Sequence, residues 1–251
     1  MLANVLRPSA LLRGAIVVAV AFSAMACAGR AYVPNPPLKH PGPTPVVPSV
    51  DPGRPYAEAL VAALASDPLV LHAVQTTKAK AAYGMDSVRL DTTMTMDLSD
   101  RDHHMRLVSK TPAGKTVKTD LIVVGKSAFS RIGGAAWTKS LRTDYERTRT
   151  DIVRAFQLVR NPSLLRYVGL ETVDKRKLHH LTAVQDLPFV AVTGMTGTYT
   201  RFDVWIEEDG TPVLVKGRFT TVVDYGIEIT GNSEMRISKF GGPIKIVAPR
   251  N

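Results

Sequence analysis

The chain has 251 residues, a formal net charge of +10 and a single cysteine. One cysteine excludes an internal disulfide framework, so stability must come from an ordinary core, and an aromatic content of 6% makes that core largely aliphatic. The length suits one good-sized domain with a tail rather than several domains.

The chain opens with Arg7 and Arg13 and no acid, then the apolar run Ala15-Ile16-Val17-Val18-Ala19-Val20-Ala21-Phe22, then small residues up to Cys27. A charged start, a short apolar middle and a small-x-small exit describe a secretory signal over residues 1–26. Gly14 to Ala26 falls short of the roughly 20 apolar residues a spanning helix needs. Ala24-Met25-Ala26-Cys27 resembles the lipobox of bacterial lipoproteins, in which the cysteine is acylated and becomes the new N-terminus. Leucine is usual where Ala24 stands. Ordinary cleavage at the same bond would leave Cys27 as a free thiol, a liability in an oxidising compartment. Lipidation of Cys27 is the expectation, with the protein held on the extracytoplasmic face of a membrane by its acyl chains. Loss of Arg7 and Arg13 with the signal lowers the net charge to +8. An exported basic protein is not expected to meet nucleic acid; weak attraction to anionic lipid head groups or envelope polymers fits better.

Residues 27–55 form a tether. Nine of the 17 prolines lie between Pro34 and Pro55, and each removes an amide donor and fixes φ, so neither helix nor central strand forms there. At about 3.1 Å per residue, the tether reaches on the order of 90 Å.

The folded domain is expected over 56–251. Tyr56, Leu60, Val61 and Leu64 fall on one helical face. Asp67-Pro68 reads as the cap of a second helix, with Leu71, Val74 and Ala81 on one side and Lys78 and Lys80 near its end. From Val88 the period becomes two: Val88, Leu90, Thr92, Met94, Met96 and Leu98 alternate with polar residues, which describes a strand with one apolar face. Shorter strands follow near Met105–Lys110, Lys115–Val124 and Ala128–Ile132, with a Gly133-Gly134 turn before Trp137. Helical spacing returns in Ile152, Phe156 and Val159, and Asn161-Pro162 opens a short helix through Leu165. Val168–Val173 and Lys177–Gln185 flank a turn at Asp174-Lys175-Arg176. A looser stretch holds Pro188, Gly194 and Gly197. Phe202, Val204 and Ile206 then alternate before the Asp209-Gly210 turn, Val213, Val215, Phe219 and Val223 after it, and a last strand runs from Ile227 to Ile237. This order suits an α+β fold: an antiparallel sheet with helices gathered on one side.

Motifs for chemistry are few. Gly125-Lys126-Ser127 resembles the end of a phosphate-binding loop, but Asp120 stands where the first glycine is needed. Of the pairs His103-His104 and His179-His180, at most one histidine each can share a site, because adjacent strand residues point to opposite faces. Glu208-Asp209-Gly210 reads as turn chemistry. No catalytic residue, metal ligand or cofactor is expected. Met94 and Met96 share an apolar strand face, and methionine suits surfaces that adapt to variable apolar guests as well as plain core filling.

Several stretches carry a family resemblance: Tyr56–Val74, Val123–Ser130 with Ala136-Trp137-Thr138, Val168–Thr182, and above all Asp203–Val215. Through them the chain resembles the mycobacterial LppX/LprG-type lipoproteins, relatives of the LolA/LolB lipoprotein carriers. The resemblance spans about Tyr56 to Phe240 and marks a fold more than an activity. It implies a strongly curved antiparallel sheet, a partly closed barrel, with helices on its concave side and a hydrophobic cavity for the acyl chains of lipids or glycolipids. Alternation then nominates Leu90, Met94, Met96, Val204, Ile206, Val213 and Val215 as cavity lining. A monomeric, non-enzymatic lipid carrier of the cell envelope is one expectation. An envelope sensor or scaffold using the same fold with a collapsed interior is the other.

Overall fold

The computed structural model describes residues 51–83, 86–111, 114–145, 148–150, 153, 159–190, 196–223 and 227–250. Helix α1 (Arg54–Leu64) opens the domain. Its apolar positions recur every three or four residues, so Ala57, Leu60 and Leu64 are buried together.

Six strands then run as a meander: β1 (Leu71–Tyr83), β2 (Asp86–Leu98), β3 (His103–Lys110), β4 (Thr116–Val124), β5 (Ser127–Ile132) and β6 (Thr138–Leu141). Two short 3-10 turns, Arg142–Tyr145 and Pro162–Leu164, mark the passage to the second half, and the Asn161 side chain caps the latter by accepting from the Ser163 amide. The second half holds β7 (Leu165–Val173), β8 (Arg176–Ala183), β9 (Leu187–Val190), β10 (Thr196–Ile206), β11 (Pro212–Val223) and β12 (Ile227–Phe240).

All twelve strands share one antiparallel sheet of order β6-β5-β4-β3-β2-β1-β12-β11-β10-β8-β7, with β9 beside β10. The first and last strands pair at its centre, from Leu71 opposite Phe240 to Ala82 opposite Glu228. The expected antiparallel sheet is therefore present. It is open, with β6 and β7 as edges, and among the described residues the helices are fewer than expected.

The expected second helix after Asp67-Pro68 is instead β1. Ala73, Ala79, Ala81, Lys78 and Lys80 favour helix locally, but β1 pairs along nearly its whole length with β2 on one side and β12 on the other. Its burial alternates accordingly: Leu71, Ala73, Gln75, Thr77, Ala79 and Ala81 are buried, and Lys78 and Lys80 are exposed. The helix expected through Ile152 and Phe156 falls mostly outside the described residues; 148–150 and 153 are helical, and Val159 is buried.

The main core covers one face of the sheet. It joins Leu60 and Leu64 of α1 to Leu71, Leu90, Met94, Met96, Leu98, Met105 and Leu107 of the first meander and to Leu181, Val204, Ile206, Phe219 and Ile229 of the second. The opposite face carries a small cluster of Leu178, Trp205 and Leu214. Two hairpins place their turns as the sequence predicts: Asp174 and Lys175 take φ of 49° and 66° between β7 and β8, and Gly210 takes φ 87° between β10 and β11. Gly210 is also packed so close to Ala59 of α1 that a Cβ there would lie 2.4 Å from backbone.

Candidate functional site

The two faces of the sheet hold different chemistry. On the core-bearing face, register sets side chains in rows across the strands. Ala73, Met96, Met105 and Leu121 form one row, and Gln75, Met94 and Leu107 the next. A further row is polar, running Ser233, Thr77, Thr92 and Ser109. The Gln75 amide nitrogen lies 3.5 Å from the Thr77 hydroxyl, while its carbonyl oxygen is buried without a partner.

His103 lies on this face, opposite Leu98 and Val123, with 1% of its surface exposed and neither ring nitrogen hydrogen-bonded. Burial, reinforced by the Arg142 and Arg149 charges, pushes its pKa down to about 4. Its neighbour His104 points the other way, as strand alternation requires. His179 and His180 divide likewise. The His179 ring stacks on Tyr56 of α1 at 3.7 Å and meets the Tyr167 hydroxyl at 3.0 Å, whereas His180 faces away.

A cavity of about 290 Å³ lies between α1 and the residues that precede β7, lined by Val61, Leu64, Ala65, Val159 and Arg160. Its wall combines four apolar side chains with the Arg160 guanidinium and is about as polar as it is apolar. None of the seven nominated lining residues touches it. Leu90, Met94, Met96, Val204 and Ile206 are buried in the main core at 0–4% exposure, and Val215 is half-buried against it. Val213 belongs elsewhere. The pairing of β10 with β11 shifts between Trp205 opposite Leu214 and Ile206 opposite Pro212, which makes Val213 the extra residue of a bulge. It packs with Leu178, Trp205 and Leu214 on the opposite face.

That opposite face carries linked charges. His72 Nδ1 lies 2.6 Å from Asp97, His104 lies within 3.7 Å of Asp97 and Asp120, and Arg106 and Arg131 donate to Asp120 at 2.7 and 2.9 Å. Burial raises the Asp120 pKa, but the two arginines outweigh it and hold the carboxyl below its ordinary value. A second group spans β7, β8 and β10. His180 lies 2.8 Å from Glu171 and 3.1 Å from Asp203 through its two nitrogens, stacks on Trp205, and the Trp205 indole donates to Glu171 at 2.8 Å. Arg201 donates to Asp203 at 2.6 Å. Burial opposes ionisation of Asp203, and the bonds from Arg201, Thr182 and His180 overcome it, so its pKa is lowered. Both His180 nitrogens are occupied by carboxylates, which leaves none to activate a nucleophile. Among the described residues no group of three or more histidine, cysteine or carboxylate side chains is arranged to hold a metal. Gly125-Lys126 forms the β4–β5 turn, with Gly125 at φ 58°. Cys27 and most of the proline tether lie outside the described residues.

These networks were hidden from sequence reasoning because their members come from different strands; Asp120 and Arg131 meet only through the β4–β5 register. The buried His103 had a partial signal, since Met105 and Leu107 alternate with it.

The fold so described is an open antiparallel sheet with one apolar face and a covering helix. No protein-family model and no curated protein matches the chain. Its structure is similar to that of lipoprotein LppX from Mycobacterium tuberculosis, at 14% identity, TM-score 0.37, covering 77% of this chain and 97% of that one. It is also similar to a DUF1329 family protein from Desulfovibrio piger, at 9% identity, TM-score 0.29 and coverage of 76% and 93%. A LolA superfamily protein from Nitrosomonas europaea gives 10% identity, TM-score 0.24 and coverage of 78% and 94%.

Proposed function

We propose that this protein is a cell-envelope lipoprotein that binds, and passes on, acylated lipids or glycolipids at the core-bearing face of its sheet. The observation that carries the reading is the cavity of about 290 Å³ under α1, where Val61, Leu64 and Val159 border the methionine-rich core. Val61, Leu64 and Val159 would receive the first methylenes of an acyl chain. Met94, Met96 and Met105 lie in the adjoining core. Their flexible side chains would repack as the chain advanced and α1 lifted, with the sheet curling around the guest as a partly closed barrel. Removal of apolar area from water, about 25 cal/mol per Å², would drive uptake. No bond is made or broken, so no catalytic residue is assigned. Acylation at Cys27 would hold the chain at the membrane, and the proline tether would let a single domain swing between donor and acceptor.

A second reading has its own observation. Leu90, Met94, Met96, Val204 and Ile206 are at most 4% exposed, which is the packing expected of a sensor or scaffold with a collapsed interior.

Uptake of a fluorescent fatty acid separates the two. Under the carrier reading, Val61→Trp fills the cavity and cuts uptake by about tenfold or more while the fold is kept, the equivalent of ~1.4 kcal/mol. Uptake that is absent in the parent chain, or unchanged in the variant, would sink this assignment of the entrance.

A further inference from the structure

Much of the charge on the face opposite the core is paired. Beyond the networks of Asp120 and Asp203, Lys216 pairs with Glu234, Arg236 engages Glu234 and Asp174, and Arg176 engages Glu207. Toward the ends of the β1–β2 and β11–β12 hairpins cations outnumber the acids within the groove. Lys78 and Lys80 of β1, Arg89 of β2 and Arg218 of β11 line one open groove of about 750 Å³ together with Thr230 and Asn232 of β12. Register puts them on a common face, since Lys78 is opposite Asn232, Asn232 is opposite Arg218, and Lys80 is opposite both Arg89 and Thr230. All four cations are exposed. Among the described residues Arg89 alone of the four has an acid partner, Asp91 at 3.1 Å. Glu228 stands two residues beyond Thr230 toward the hairpin end.

Asp91 is also opposite Lys78, so four cations meet one acid at the groove; the excess of like charge is repulsive, and a bound anion relieves that repulsion. Size points to the kind of anion. Arg218 and Arg89 are three strand spacings apart, about 14 Å, so the four cations form a spread of charge rather than one closed pocket. A surface bearing many phosphates reaches all four. Val222, farther along β11 on the same face as Arg218, is 53% exposed, which suits a surface with an apolar layer behind its charge.

We propose that this groove seats the domain on the phosphate head groups of an anionic membrane. It is a docking site separate from the cargo cavity and does not depend on the carrier reading. Its orientation would also fix which edge of the sheet meets the bilayer.

The test is co-sedimentation of the full-length Cys27→Ala chain with vesicles of phosphatidylcholine alone or with a third phosphatidylglycerol. The leader, with Arg7 and Arg13, is the same in every variant, so the change in anionic preference between variants is the readout. The chain should prefer the anionic vesicles at about 0.1 M salt and lose that preference near 1 M, where the screening length falls to about 3 Å. Replacing Lys78, Lys80, Arg89 and Arg218 with Gln should weaken the preference by about fivefold per cation, the equivalent of ~1 kcal/mol each. Lys78→Arg with Lys80→Arg should retain it. A control with the same loss of charge elsewhere, Lys115, Lys118, Lys126 and Lys139 to Gln, should stay within about twofold. The proposal is overturned if the control loses as much as the groove variant, if there is no preference for anionic vesicles, or if millimolar inorganic phosphate abolishes binding at constant ionic strength.

Discussion

The two faces of the sheet handle polar groups in opposite ways, and the adjacent histidines make the contrast sharp. His103 is buried among apolar side chains with no partner, while His104, one residue on, sits in a chain of carboxylates and arginines. Across the sheet, His180 is held by Glu171 and Asp203, and His179 packs on the aromatic rings of α1 and β7. One face therefore derives stability from apolar burial and tolerates a few orphaned polar atoms. The other consists of ion pairs across neighbouring strands. Under the proposed carrier reading, the first face would exchange its packing partners for an apolar guest, whereas the second would stay a fixed scaffold.

The largest expected effect lies on the apolar face. Met96→Ala should lower unfolding free energy by about 2–5 kcal/mol in a denaturant titration, because Met96 is fully buried in the main core. A loss well under ~1 kcal/mol would mean that this face is already loosely packed.

Acid separates the faces next. The folded state disfavours protonated His103, so its contribution is complete above pH 6.5 and is lost as pH falls toward about 4. The loss should approach about 3 kcal/mol, and His103→Leu should flatten the stability profile across that window. Asp120 and Asp203 behave differently because their folded pKa values lie below the ordinary 3.8. Their contribution is present above that value and disappears only as pH falls further, through the lowered folded values. Stability measured from pH 7 down to about pH 2 should thus fall in two stages, the first absent in His103→Leu. A single stage unchanged by that substitution would break the comparison.

Smaller effects belong to the paired face. Trp205→Phe removes the indole donor to Glu171 and should cost about 1 kcal/mol, with the stack on His180 largely kept. Glu234→Gln weakens the pairs with Lys216 and Arg236, which are about half exposed, and should change stability by less than about 1 kcal/mol. A larger loss would mark that network as cooperative rather than a set of surface pairs.

Much of the sheet was legible because period-two alternation survives wherever one strand face is buried, as in β2, β3 and the β10–β11 hairpin. The failure at β1 has a clear cause. Its alanines and lysines favour helix, and only the two flanking strands, one of them about 150 residues later in the chain, decide otherwise. The short strands β6 and β9 carry too few residues to show a period. Val213 was set on the wrong face because a bulge adds one residue and reverses the alternation, which composition does not reveal. The core-face placement of the other six nominated residues followed from alternation. The cavity residues did not, since Val61, Leu64 and Val159 meet only through tertiary packing. The paired face was invisible for the same reason, every member of its networks being an ordinary polar residue until the strand register is known.

Native mass spectrometry of the purified chain tests the central claim most directly. The account predicts a population heavier than the polypeptide by the mass of an acylated lipid, released when the protein is denatured. A single mass that denaturation leaves unchanged, in protein purified straight from the cell envelope, would contradict it.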